Sequence, residues 1–181
     1  MDTPQSQYTI YDIFSSFNEL PADAFATLKG GPLAPSLRGQ ILLYQLKDGV
    51  YIRAYIAGIP LTTTTGQKVD FHGFHIHEFG NCVVGDPANP FMAAGGHWNP
   101  KNQPHPFHAG DLPPILSTNG IGMLSVYTAQ FAVSDVIGKS FILHEKPDDF
   151  VTQPAGNSGL RLACGVIKST HVRSSFFRKS Y

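Results

Sequence analysis

One stretch constrains this chain more than any other: the glycine-bounded apolar segment Gly73-Phe74-His75-Ile76-His77-Glu78-Phe79-Gly80, with two histidines one residue apart. Its alternation has the period of a β-strand, on which successive side chains leave from opposite faces. His75 and His77 therefore share one face, while Phe74 and Ile76 turn toward a core. Such a strand needs partners, and further apolar, β-branched and aromatic runs supply them. Strands are predicted over residues 25–29, 40–46, 50–57, 71–79, 123–133, 139–144 and 160–167. Lys47-Asp48-Gly49 between the second and third runs is a hairpin signal, and residues 87–114 read mostly as loop. The 18 Gly and 14 Pro fit short strands joined by turns. No heptad, repeat or long helical period appears. Only Ile10, Ile13, Phe14, Phe17 and Leu20 have helical spacing, which predicts a short N-terminal helix packed on the strands.

The other histidines fall into ordered motifs. His97 lies in Gly95-Gly96-His97-Trp98-Asn99-Pro100. His105, His108 and Asp111 lie in His105-Pro106-Phe107-His108-Ala109-Gly110-Asp111, and His144 ends Phe141-Ile142-Leu143-His144. Three imidazoles and one carboxylate make a complete tetrahedral zinc set. The remaining imidazoles make an all-nitrogen set, which suits a copper that changes oxidation state. One histidine must then serve both metals, or one set falls short. A nonspecific metal-binding surface is the bland alternative, and it leaves Asp111 at the end of the run unexplained.

These motifs, with His144 to Asp149 and the closing Gly159-Leu160-Arg161-Leu162-Ala163-Cys164-Gly165-Val166-Ile167, resemble the copper/zinc superoxide dismutases. The resemblance runs over residues 25–167. It implies an all-β fold, an eight-stranded Greek-key β-barrel or sandwich with long metal-binding and electrostatic loops. Residues 1–24 would be an N-terminal extension and 168–181 a basic C-terminal tail. It implies copper on His75, His77, His97 and His144, and zinc on His97, His105, His108 and Asp111, with His97 as the bridge. It makes Asp148 the carboxylate that hydrogen-bonds a copper-ligand and a zinc-ligand histidine. Taken alone, Asp148 reads as a solvated acid in Glu145-Lys146-Pro147-Asp148-Asp149. Arg161 becomes the docking cation for superoxide, and Cys82 and Cys164 the intrasubunit disulfide. His72 takes a structural position, and His171 falls in the tail. The implied reaction turns two superoxide anions and two protons into O₂ and H₂O₂ by copper redox cycling, with His97 and Arg161 as the catalytic residues.

Composition sets the remaining bounds. A chain of 181 residues supports one domain with a full core. With 42% hydrophobic and 14% charged residues it fits a globular protein, and a formal charge of zero argues against a nucleic-acid partner. No apolar run reaches the roughly 18 residues that span a bilayer. The first residues lack a signal peptide's basic start and apolar core. They predict a cytoplasmic protein if the chain is complete, or an exported one if a leader has been removed. His105 and His108 are separated only by Pro106-Phe107, a tighter zinc loop than many members have. The stretch from His144 to Arg161 is also short, in the manner of bacterial members. A homodimer is an expected partner assembly; its interface is left open, because bacterial and animal members pair differently. Two other functions compete: a copper-storing or copper-delivering module, and a zinc-stabilised interaction domain using the basic tail.

Overall fold

The computed structural model describes residues 20–170. Eight antiparallel strands are named here in chain order: β1 (Ala24–Gly30), β2 (Arg38–Leu46), β3 (Gly49–Ala57), β4 (Phe71–His77), β5 (Asp111–Thr118), β6 (Ile121–Thr128), β7 (Ser140–His144) and β8 (Arg161–Ser169). They close into a barrel in the order β1-β2-β3-β6-β5-β4-β7-β8. β3 and β4 are thus consecutive in sequence but separated by two strands in space, as are β6 and β7. The barrel closes through β1 and β8, with Ala26 opposite Ile167 and Lys29 opposite Cys164. Closure pairs every strand on both edges, so no edge is left as a template for association.

The alternation in the sequence is what fills this barrel. Leu28, Ile41, Leu43, Ile52, Ile56, Phe74, Ile76, Ile115, Phe141 and Leu143 are fully buried. Each large aliphatic or aromatic side chain taken out of water contributes roughly 1.5–3 kcal/mol. Phe74 and Phe141 stack with ring centroids 5.1 Å apart. They lock together β4 and β7, the two strands that carry His75, His77 and His144.

The connection 78–110 folds back along β4. Trp98 N donates to Ile76 O at 2.8 Å, Ile76 N to Gly110 O at 2.9 Å, and Glu78 N to Gly96 O at 3.1 Å. The approach is so close that a Cβ on Gly110 would lie 2.3 Å from Ile76 O. The connection 145–160 is tied at its base by Glu145 N to Leu160 O and Lys146 N to Ser158 O. The Cys82–Cys164 disulfide is formed and joins the first connection to β8.

The structure corrects several strand boundaries: β4 ends at His77 rather than at 79, and β8 runs on to Ser169 rather than ending at 167. A strand, β5, begins at Asp111, inside the stretch read mostly as loop. Pro113 and Pro114 masked it, since neither can donate to a ladder. They sit where the β4–β5 register shifts between His72 and Phe74, and β5 meets β6 only at Ser117 and Thr118. β6 ends at Thr128 rather than at 133, and Val133–Val136 is instead a single helical turn, α1. The β2–β3 turn is Lys47-Asp48 alone, with Gly49 already paired to Leu46. The expected helix over residues 10–20 lies outside the described residues except for Leu20, which packs against Leu46 and Tyr51. His171 is likewise outside them. No helix among the described residues is long and apolar enough to cross a membrane.

Candidate metal centre

The strands and loops bring seven of the predicted residues into two sets that share one member. His75, His77, His97 and His144 form one set; His97, His105, His108 and Asp111 form the other. Within each set one ligand atom per residue lies within 4.8 Å of every other. β4 supplies His75 and His77, β7 supplies His144, and the 78–110 connection supplies His97, His105 and His108. Asp111 is the first residue of β5 and stands opposite His75 in the ladder. All six histidines are buried. The His75 and His97 rings lie 3.9 Å apart between centroids.

Hydrogen bonds determine which ring nitrogen each histidine leaves free. His77 Nδ1 donates to Gly95 O at 3.1 Å, and His144 Nδ1 donates to Gly159 O at 3.3 Å. Their Nε2 atoms then carry lone pairs, yet they face each other at 3.3 Å. Two lone pairs that close repel unless a proton or a metal ion lies between them, and the pair belongs to a set of four imidazoles that could hold a metal ion. His75 Nε2 donates to Asp148 Oδ2 at 2.8 Å and His105 Nε2 donates to Asp148 Oδ1 at 2.9 Å. One carboxylate thus orients a histidine from each set, as outer-shell partners of metal ligands do. The Nδ1 atoms of His75, His105 and His108 and the Nε2 of His97 are buried without a hydrogen-bond partner. Orphaned polar atoms in a protein interior call for an explanation. Here each is the ring nitrogen turned toward its set.

The second set converges on a carboxylate. His97 Nδ1 hydrogen-bonds Asp111 Oδ1 at 2.7 Å. His105 Nδ1 and His108 Nδ1 lie 3.0 and 3.2 Å from Asp111 Oδ2, and neither makes an aligned hydrogen bond with it. Short distances without alignment mean that these atoms aim at a common centre rather than at one another. Three imidazole nitrogens and a carboxylate oxygen fit zinc; four imidazole nitrogens fit copper.

Electrostatics favour neutral ligands. Burial pulls His75 down to about 4, against the hydrogen bond to Asp148, which raises it. Burial, then the nearby imidazoles, hold His77 and His144 well below the ordinary histidine range. Burial would push Asp148 up, but hydrogen bonds from His75, Phe150 N and His105 outweigh it and hold the carboxyl far below its usual range. Burial likewise opposes the ionised form of Asp111, and the bond from His97 with the surrounding imidazoles keeps it low. Neutral imidazoles and ionised carboxylates are the forms that bind metals.

Arg161 opens β8 at the edge of a cleft lined by His77, His97 and His144. Its Nη1 donates to Phe91 O and its Nη2 to Gly95 O, both at 2.7 Å. Gly95 O therefore holds both His77 and Arg161, fixing the cation relative to a histidine of the first set. Burial draws the guanidinium below its ordinary value, but arginine keeps its charge in proteins. Of the other histidines, His72 donates from Nδ1 to His144 O at 3.0 Å and contacts Ser117 Oγ at 3.3 Å, bracing β4 against its neighbours.

Some contributors had no signal in the sequence. Gly156 has φ +64°, and a Cβ there would lie 1.9 Å from Asp148 Oδ1 and 2.7 Å from His105 Nε2. It is one glycine among 18, and nothing marks it. The carbonyls of Gly95 and Gly159 are equally invisible, because any residue carries one.

The family model for copper/zinc superoxide dismutase (SODC) matches residues 37–167, well over half of the chain. The chain belongs to the copper/zinc superoxide dismutase family. It is similar to a superoxide dismutase [Cu-Zn] of Deinococcus radiodurans, 40% identical over 58% of this chain and 67% of that protein. It is also similar to superoxide dismutase [Cu-Zn] 1 of Aquifex aeolicus, 34% identical over 72% of this chain and 79% of that one. A third relative, superoxide dismutase-like protein YojM of Bacillus subtilis, is 40% identical, but the match spans only 54% of it. Among solved structures, the Cu/Zn superoxide dismutase from Brucella abortus aligns with TM-score 0.65 at 26% identity, covering 79% of this chain and 98% of that one. All these relatives are bacterial. The eight-stranded barrel, the disulfide and the two histidine-rich sets are those expected of a bacterial-like member.

Proposed function

We propose that this chain disproportionates superoxide, converting two anions and two protons into O₂ and H₂O₂. Copper is assigned to His75, His77, His97 and His144, and zinc to His97, His105, His108 and Asp111. The observation that carries this reading is the membership of His97 in both sets. Copper, when bound, supplies one-electron exchange between two oxidation states. The chain supplies the rest. Arg161 docks the anion at the cleft with a guanidinium already held by two carbonyls. His97 keeps Nδ1 on Asp111 and leaves Nε2 free of any protein partner. That Nε2 is where we place the proton that peroxide formation consumes. Asp148 keeps His75 and His105 in one orientation throughout.

Replacing His97 with Ala removes a donor from each set. It should lower both copper and zinc content, whereas His108→Ala should mainly release zinc. Metal analysis of the purified variants checks this, and full retention of both metals by His97→Ala would contradict a shared ligand.

A homodimer is the finer partner reading. The outer face of β3 to β6 supports it: Phe71 pairs with Leu116, Tyr55 pairs with Met123, and all four are exposed. Contiguous exposed apolar surface of this kind marks association sites. Sedimentation at micromolar concentration should give twice the chain mass; a monomer would remove this part of the proposal.

A further inference from the structure

Both ends of one short loop grip a single ligand residue. Asp148 takes the His105 ring through Nε2 at 2.9 Å. Gln153 takes the His105 peptide: His105 N donates to Gln153 Oε1 at 3.0 Å, and Gln153 Nε2 donates to His105 O at 2.6 Å. Ring, N–H and C=O of one residue are thereby all fixed by residues 148–153. The loop between is itself closed. Asp149 accepts from Val151 N and Thr152 N, Thr152 Oγ1 donates to it, and Gly156 N donates to Thr152 O at 2.7 Å.

His105 needs such a clamp. It lies between Pro104 and Pro106, outside any strand, so no ladder satisfies its N–H and C=O. The Gln153 carboxamide makes the same two-bond pairing that a neighbouring strand would. Gln153 is exposed overall, yet both polar ends of its amide are turned inward onto a buried histidine. The same loop continues into the cleft wall through Asn157, Ser158 and Gly159, and Gly159 O holds His144.

We propose that Gln153 is a positioning residue for the zinc ligand His105. Its amide sets the His105 backbone so that Nδ1 meets Asp111, and it makes zinc retention and the folding of this cleft wall one event. This rests on the metal assignment proposed above. Two hydrogen bonds, each of modest net strength in water, are enough for about a tenfold change in zinc release, which corresponds to about 1.4 kcal/mol.

The test uses the full chain loaded with copper and zinc, with a colorimetric chelator reading each metal as it leaves. Gln153→Met keeps the length of the side chain and removes both hydrogen bonds. It should release zinc about tenfold faster, while copper leaves within twofold of the native rate. Gln103→Met, on the same zinc loop but with a side chain that hydrogen-bonds Lys101 O and no histidine, its backbone pairing with Asn99 being kept, should release both metals at native rates. Amide exchange should show faster opening at His105 with Phe74 still protected, which separates a local effect from an unfolded barrel. Native zinc release from Gln153→Met would overturn the proposal, and so would equal acceleration of both metals. A native chain that takes up neither metal would instead overturn the functional reading on which this one rests.

Discussion

At the scale of single residues, what matters is how firmly each group is held before a ligand arrives. Arg161 is bound by two carbonyls on the connection beside it, a fork that lysine cannot reproduce. Arg161→Glu places an anion at the docking point and should slow turnover by roughly tenfold or more with copper retained. Arg161→Lys keeps the charge and should cost less. Rate measurements on the three copper-loaded proteins check this, and equal rates would make Arg161 a bystander. Gly156→Ala tests the Asp148 cradle. The added Cβ cannot coexist with Asp148 Oδ1 in its present place, and the left-handed φ adds strain of about 1–3 kcal/mol. Zinc content and thermal midpoint should both fall; unchanged values would show that Asp148 has room to move. The metal-set residues were legible in the sequence because imidazoles and a terminal carboxylate are chemically distinctive. Asp148 was legible only through the family resemblance, and Gly156 and Gln153 not at all, since their roles depend on contacts between distant segments.

At the scale of elements, strands announce themselves by alternation, and that signal fails where prolines or bulges interrupt it. β4 was plain because Phe74 and Ile76 alternate with histidines, and β7 because Phe141-Ile142-Leu143 is a short apolar run of the kind a fully buried strand shows. β5 was hidden by Pro113 and Pro114, although it delivers Asp111. The disulfide acts between elements. It closes a sequence separation of 82 residues and anchors the connection whose Phe91 and Gly95 carbonyls hold Arg161. Replacing Cys82 and Cys164 with Ser should cost on the order of 4–5 kcal/mol by the chain-entropy account. Turnover per bound copper should fall as well, because Arg161 loses its fixed seat. Denaturant unfolding and a rate per copper check both halves. A stable variant with native turnover would show that the carbonyls stay in place without the bond.

At the scale of the whole molecule, alternation cannot order strands around a barrel; the strand count and Greek-key fold were expected from the resemblance, and the crossovers between β3 and β4 and between β6 and β7 make the fold a long-range one. Charge is a whole-molecule property too. Among the residues lining the cleft, Arg161 and Glu78 are the only ones with formal charges. Glu145 accepts from Thr64 N, Asp148 holds two histidines, and Asp149 closes a turn. Residues 150–160 carry no charge, and Lys139 lies over the Trp98 ring, 5.1 Å from its centroid. Long-range steering, which acts over a Debye length of roughly 8–10 Å near physiological salt, should therefore be weak. The second-order rate should change little from low to high ionic strength, and a steep decline would reveal a steering field elsewhere on the surface. The central claim is turnover itself, and a superoxide-scavenging assay of the purified chain loaded with copper and zinc tests it most directly, with zinc-only and metal-free protein alongside. The account predicts rapid catalytic removal of superoxide by the copper-and-zinc protein and none by the other two. A copper-and-zinc protein no faster than its controls would contradict it and leave a copper-carrying module or a zinc-stabilised binding domain in its place.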